Sequence, residues 1–215
     1  MPKSMKLYLR ISIFFVLVLS SCSPNKVVQD YKTMALEKTT FEVPYFSNPA
    51  IDYVYKANIT VYGKELTGIF IAKKINDNTH RVVFTTEFGN KLFDFEISET
   101  DFKVNFILEE LDRKMVVNTL VADFRLLLRN HYTISEQFEN AENTVFMALD
   151  KDKMNYLFVS KSTKKLSKII HSSKRKEIIN LLYSSENNIF AEKIVIQHQN
   201  IKLKIELNYF NQQAN

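Results

Sequence analysis

The sequence predicts a mainly β protein with one α-helix: an incomplete, strongly curved antiparallel β-barrel with the helix covering its concave face. Apolar and polar residues alternate along roughly ten segments, the pattern of strands that bury one face. One segment instead has apolar residues at spacings of three and four, the pattern of a helix. The chain has 17 Phe, 10 Tyr and no Trp. Because each buried aromatic side chain removes about 150–250 Å² from water, these residues supply much of the apolar area of the predicted interior.

The N-terminus has the layout of a secretory signal. Lys3, Lys6 and Arg10 precede an apolar run over residues 11–19, which is about half the length needed to span a bilayer. The sequence Leu19-Ser20-Ser21-Cys22 resembles the lipobox of bacterial lipoproteins and implies an acylated Cys22. A secretory signal that ends near a cysteine by chance is the alternative. We predict a signal peptide at residues 1–21, a lipidated N-terminus and tether at 22–40, and a single half-barrel domain at 41–212.

Removal of the predicted signal changes the charge of the chain. The formal net charge is +5, and residues 1–21 contain three basic and no acidic side chains, so the mature chain would carry +2. This balance argues against a nucleic-acid partner, because such proteins present a strong basic field. Lysines are frequent between residues 151 and 176. They favour either a face that meets anionic lipid or a solvated sheet face that blocks edge-to-edge pairing.

The first half of the predicted domain is a run of strands joined by short turns. Residues 27–38 have the composition of one or two helical turns. Gly63, residues 76–78 and Gly89 mark turns between alternating segments. Asp94 and Glu96 alternate with apolar residues, so we expect both to face water. The predicted strands cover residues 53–61, 69–74, 80–88, 93–97 and 102–108.

A helix is predicted at residues 112–129, with Asp112 as its N-cap and Arg125 and Arg129 at its C-terminal end, where positive charge is favourable. Its apolar stripe consists of Val117, Leu120, Val121, Phe124, Leu127 and Leu128. The polar residues 130–143 are predicted to form a loop. Alternation then returns in strands at residues 144–149, 155–160, 165–172, 177–184, 189–199 and 201–210.

The sequence gives little support to an enzyme. The four histidines, His80, His131, His171 and His198, are far apart in sequence and have no metal-ligand spacing. There is no nucleophile elbow, no phosphate-binding glycine loop and no dinucleotide fingerprint. We therefore predict no catalytic residue, no metal and no cofactor, and an unrecognised hydrolase is the least favoured reading.

Three stretches resemble the LolA/LolB superfamily, and LolB in particular. The stretch "VVFTTEFGNKLFDFEI" (82–97) resembles the family's paired strands, with Phe88 and Gly89 at the loop between them. The stretch "LDRKMVVNTLVADFRLLL" (111–128) resembles the helical region that covers the mouth of the incomplete barrel. The stretch "NIKLKIELNYF" (200–210) resembles the closing strand.

The resemblance implies a function in lipoprotein transport. Phe88 and Gly89 would form a membrane-insertion loop, although Phe88 could instead be a core residue that ends a strand. Acyl chains or lipoproteins would be the ligands, a periplasmic carrier protein a possible partner, and the chain would be a monomer. The residues expected to line the cavity or lid are Val117, Leu120, Val121, Phe124, Leu127, Leu128, Phe93, Phe95 and Phe106.

Two further expectations concern location and the competing function. Because Ser23 is not the aspartate that retains lipoproteins in the inner membrane of well-studied Gram-negative bacteria, we expect the periplasmic side of the outer membrane. The alternative function is an anchored envelope lipoprotein that binds no acyl chain and acts as a protein-interaction or assembly module. Saturable uptake of a fatty acid would distinguish the carrier from such a module.

Overall fold

The computed structural model describes residues 26–173, 176–187 and 189–210. The predicted signal peptide, Cys22, Ser23 and the C-terminal residues 211–215 lie outside these ranges. Residues 26–30 are the described part of a first unit, which ends at Asp30, and they contain a 3₁₀ turn at Lys26–Val28. The remaining described residues form one compact unit that starts at Tyr31.

The second unit is dominated by one antiparallel sheet of thirteen strands. The fifteen strands of the described residues are β1 (Lys32–Met34), β2 (Thr40–Glu42), β3 (Asp52–Val61), β4 (Lys64–Asn76), β5 (Thr79–Thr85), β6 (Lys91–Ser98), β7 (Phe102–Ile107), β8 (His131–Thr133), β9 (Glu136–Glu139), β10 (Asn143–Asp150), β11 (Lys153–Ser160), β12 (Leu166–Ser173), β13 (Lys176–Ser184), β14 (Lys193–His198) and β15 (Leu203–Tyr209). Strands β2 and β8 pair separately as a two-stranded sheet.

The order of the large sheet is β1-β9-β10-β11-β12-β13-β14-β15-β3-β4-β5-β6-β7. Strands β3 to β7 form one meander, and β9 to β14 form another. The last strand, β15, joins them by pairing with β14 on one side and β3 on the other. Strands β1 and β7 are the two edges, so the sheet is curved but not closed, and the predicted fold class is confirmed.

The α-helix of the described residues, α1 (Lys114–Leu128), packs its apolar stripe against the buried face of the sheet. Arg125 fixes its C-terminal half to the turn between β6 and β7, because the guanidinium donates to the carbonyl oxygens of Ser98 at 2.7 Å and Asp101 at 2.9 Å. Arg129 pairs with Glu99 at the same turn. Among the described residues, α1 and the other helical segments are too short or too polar to cross a membrane.

Three local predictions were wrong. Residues 130–143 are not a loop, because β8 and β9 lie within them; strands of three and four residues are too short to show a period. Lys32–Met34 is a strand rather than part of a helical turn. Asp112 does not cap α1, since a 3₁₀ turn at Glu109–Leu111 precedes it and Arg113 holds the N-cap position without a side-chain bond.

Candidate functional site

Phe88 lies at the tip of the turn between β5 and β6 and is 94 % exposed. The turn is closed by hydrogen bonds from the Thr86 backbone N–H to the Asn90 carbonyl (2.8 Å) and from the Gly89 N–H to the Thr86 carbonyl (3.0 Å). Gly89 has a φ of +86°, which glycine adopts without strain. The structure therefore places Phe88 in an ordered turn that points it into solvent, not in the core.

The six stripe residues of α1 and the two strand residues Phe93 and Phe95 are all buried. The ring of Phe124 lies 5.2 Å from that of Phe70 and 5.8 Å from that of Phe93, measured between centroids. Phe93 in turn stacks on Phe95. These side chains fill the space beneath the helix by contacting one another, and their role in lining a ligand cavity stays a prediction.

Phe106 does not face the interior, which corrects the expectation from alternation. Phe95 pairs with Val104, whereas the preceding Asp94 pairs with Phe106, so Asn105 is an extra residue in β7. Such a bulge moves every later side chain to the opposite face. Phe106 consequently lies on the outer face, 41 % exposed, with the Lys91 ammonium 5.8 Å above its ring.

Asp94 also departs from expectation, because it is buried on the outer face of the sheet instead of facing water. The Arg81 guanidinium donates to both carboxylate oxygens, at 2.9 and 2.7 Å, and the Lys91 ammonium donates at 3.0 Å. These contacts, the Arg81 hydrogen bond foremost, hold the pKa of Asp94 well below its ordinary value. The cluster is a structural ion pair that covers the β5–β6–β7 face.

Residues 43–47, here named the interior loop, were not singled out by the sequence. This segment connects β2 towards β3 without being a helix or strand, yet Val43, Tyr45 and Phe46 are buried. Loops ordinarily run over the surface. The signal that could have revealed it is the apolar and aromatic run at positions 43–46, interrupted only by Pro44.

A buried polar pair joins α1 to the sheet. The Nε2 of His198, at the end of β14, lies 2.9 Å from each carboxylate oxygen of Asp123. Burial raises the pKa of Asp123, and the contact with His198 opposes that rise. The Nε2 of His198 is thus satisfied, whereas its Nδ1 is buried without a hydrogen-bond partner among the described residues, and Asp123 is an unexpected buried carboxylate on the helix.

A cavity of about 500 Å³ lies beside the C-terminal end of α1. Polar side chains, including His80, Asn155, His171, Arg129 and Lys153, line it together with apolar ones such as Ile97, Leu126, Leu128 and Ile179. Desolvation, with the positive charges of Lys153 and Arg129, lowers the pKa of His171 to about 4. The cavity therefore has walls of mixed polarity, and it lies beside the end of the helix, whereas the apolar hollow is predicted beneath the middle of the helix.

The lysine-rich stretch is partly engaged with the protein itself. Lys161 pairs with Glu139, and the Lys165 ammonium donates to the carbonyl oxygen of Ser185. The Lys168 ammonium lies 4.1 Å above the ring of Phe158. These contacts favour the reading of a solvated sheet face. Across the described ranges, no group of three or more His, Cys, Asp or Glu is arranged to hold a metal ion.

No family model and no curated protein matches this chain. It is similar to a solved LolA superfamily protein from Nitrosomonas europaea (11 % identity, 77 % of this chain and 87 % of that one, TM-score 0.49). It is also similar to a DUF1329 family protein from Desulfovibrio piger (11 %, 74 % and 84 %, 0.41). A third is an outer membrane lipoprotein-sorting protein domain from Vibrio parahaemolyticus (9 %, 76 % and 86 %, 0.43). These likenesses assign no role to any residue of this chain.

Proposed function

We propose that this chain is a lipid-anchored envelope protein that holds acyl chains, alone or as part of lipoproteins, in its half-barrel and releases them to a membrane. The observation that carries this proposal is Phe88, a large apolar side chain held outward by an ordered turn. An aromatic ring so exposed gains about 1.5–3 kcal/mol when an apolar environment covers it. In this proposal the membrane is the apolar environment that covers Phe88, and acyl chains are the bound ligand.

The proposed ligand, an acyl chain, is inferred from the apolar interior of the sheet and from the predicted lipid anchor at Cys22. An acyl chain in water is disfavoured by about 25 cal/mol per Å² of apolar surface, so a carrier must offer an apolar enclosure. The buried face of this sheet is lined by aromatic and aliphatic side chains. Acylation of Cys22 would tether the chain to the periplasmic side of the outer membrane, where a periplasmic carrier protein could deliver the load.

The test replaces Phe88 with a charged residue. The purified chain is loaded with a fluorescent fatty acid and mixed with vesicles of phosphatidylethanolamine and phosphatidylglycerol. Phe88→Glu should slow transfer by about tenfold or more, because about 1.5–3 kcal/mol of apolar contact is lost and each 1.4 kcal/mol is a factor of ten. Loading and thermal unfolding should be unchanged.

Leu149→Glu is the matched control, since Leu149 is an exposed apolar residue, at 58 %, on a different strand. It should leave the transfer rate unchanged. Transfer by Phe88→Glu at the rate of the unmodified chain would contradict the role of the turn. Absence of saturable fatty-acid loading in the unmodified chain would contradict the carrier function.

The second candidate function is a protein-interaction module, and the edge strand β7 favours it. Phe102, Val104 and Phe106 are each 36–41 % exposed on a strand with one unpaired side. Exposed apolar edges are templates for pairing with another chain. A module of this kind would show no fatty-acid loading and would lose its partner when a charge is placed on β7.

A further inference from the structure

The interior loop is anchored to strands from both meanders of the sheet. The Tyr45 ring stacks on that of Tyr183 with centroids 5.0 Å apart, and its hydroxyl donates to the Leu166 carbonyl at 3.2 Å. The Phe46 ring lies 4.9 Å from that of Tyr53 on β3. The loop therefore occupies the interior between β3 and the β12–β13 pair, a space of the kind that an apolar ligand would need.

The backbone of this loop is strained at Phe46, and side chains satisfy the carbonyl groups of Tyr45 and Phe46. Phe46 has a φ of +59°, a left-handed conformation that is rare for an aromatic residue. The imidazole Nε2 of His80 donates to the Phe46 carbonyl at 2.8 Å, and the Asn130 amide donates to the Tyr45 carbonyl at 2.8 Å. Strained conformations persist only where the surroundings enforce them, and they cluster at segments that switch.

The loop leaves polar atoms of the interior unsatisfied. The buried hydroxyls of Tyr132 and Tyr183 have no hydrogen-bond partner among the described residues. An unpaired buried hydroxyl is unfavourable, and a ligand that carries a carbonyl or carboxylate oxygen could accept from it. An acyl ester or a fatty acid has both the apolar chain and such an oxygen.

The N-terminal attachment of the loop is a weak element. Strand β2 pairs with β8 over three residues, Thr40–Glu42 with His131–Thr133, in a sheet of two strands, and one backbone hydrogen bond at each end extends the pair, from Ile134 to Thr39 and from Val43 to Asn130. Isolated pairs of this size are marginally stable by themselves. Separation of β2 from β8 would release the loop without breaking the thirteen-stranded sheet.

We propose that the interior loop is a displaceable occupant of the acyl-chain site: Tyr45 and Phe46 fill the site until an acyl chain enters and β2 separates from β8. This inference rests on the proposed function and identifies the place of its ligand. Displacement exchanges one set of apolar contacts for another and relieves the left-handed conformation at Phe46. The Tyr183 hydroxyl gains an acceptor from the ligand.

The first experiment fixes the loop by a reversible crosslink. Glu42 and His131 are exposed and directly opposite on antiparallel strands, a placement that suits a disulfide. The Glu42→Cys/His131→Cys variant is made in the full chain with Cys22→Ser, so that the new thiols are the only ones. Binding of 11-(dansylamino)undecanoic acid is measured with the disulfide formed and after its reduction.

The oxidised form should bind the probe at least about tenfold more weakly than the reduced form, because the disulfide prevents the state in which β2 is separated from β8 and the probe can bind. The control pair Lys193→Cys/Asn208→Cys, directly opposite on β14 and β15, should show no difference. Equal binding by the oxidised and reduced forms of the Glu42–His131 pair would overturn the displaceable loop and leave the carrier function standing.

The second experiment empties the site. Tyr45→Ala/Phe46→Ala should bind the probe at least about tenfold more tightly than the unmodified chain, since no occupant competes. Phe124→Ala makes a comparable space beneath α1 and should not tighten binding. Tighter binding by Phe124→Ala alone would place the site under the helix and overturn the inference. A lack of binding in every form would overturn the proposed function as well.

Discussion

Among single residues, Asp94 is a carboxylate that alternates with apolar residues along β6 and is nevertheless buried in ion pairs that stabilise the sheet. Its neighbours in sequence predict a solvent-facing carboxylate. On β5, the residue directly paired with Asp94 is Val83. Arg81 lies two positions before Val83, so its guanidinium reaches Asp94 diagonally across the two strands. That diagonal contact depends on strand register, and a single sequence does not specify register.

Asp94→Asn should lower the free energy of unfolding by about 1.5–3 kcal/mol, the usual contribution of hydrogen bonds to a charged group. Because the folded pKa of Asp94 is lowered, its contribution is present above the ordinary aspartate pKa of about 3.9 and is lost as the pH falls below it. Urea denaturation at pH 7 and pH 3 measures both effects. Asp52→Asn, which removes an exposed ion pair with Lys73, should change stability by about 0–1 kcal/mol.

At the scale of elements, α1 and the long strands were predictable and the short strands were not. Spacings of three and four identified the helix, and alternation identified strands such as β3 and β15, because a long element repeats its period several times. Strands β2, β8 and β9 contain too few residues for that. The bulge at Asn105 depends on pairing with β6, which is why the interior position expected for Phe106 could not be corrected from sequence.

The attachment of α1 leads to a prediction about Phe124. Its ring contacts Phe70 and Phe93 and has no exposed surface. Phe124→Ala should therefore reduce the free energy of unfolding by about 3–5 kcal/mol, through lost burial and a residual cavity. Met115→Ala, at a position 77 % exposed on the same helix, should change it by less than about 0.5 kcal/mol. Similar losses from both variants would show that the helix does not pack as described.

At the scale of the whole molecule, the buried His80 and the half-buried His171 contribute to the response of stability to mild acid. Burial lowers the pKa of His80, and that of His171 falls to about 4. In the unfolded chain both would bind protons near pH 6.5. Since the unfolded state then holds more protons than the folded state, stability should fall as the pH drops from about 6.5 towards 4.

A comparison with His171→Gln isolates one of these groups. Between pH 7 and pH 5 the unfolding free energy of the unmodified chain should fall by more than that of this variant, because only the unmodified chain has the His171 penalty. Thermal and urea denaturation at matched pH values measure it. A difference between the two unfolding free energies that stays constant over this range would show that His171 is not held neutral in the folded state.

One part of the candidate site, Phe88, could be singled out from the sequence, and another part, the interior loop, could not. The exposed Phe88 was one of two readings of a phenylalanine beside a glycine, and only the turn geometry decides between them. The interior loop has no period, and its burial arises from contacts with strands more than a hundred residues away, such as Leu166 on β12. Such contacts are set by topology, not by local pattern.

The position of β15 has a consequence for how the chain is made. The two meanders meet only through this strand within the sheet, and it follows all the other described strands in sequence. Each meander is built from neighbours in sequence and can form early, whereas the two cannot be joined until β15 has been synthesised. Until then β3 and β14 both present open edges, so a chain stopped before Leu203 would be two unjoined sheets prone to pair with other molecules.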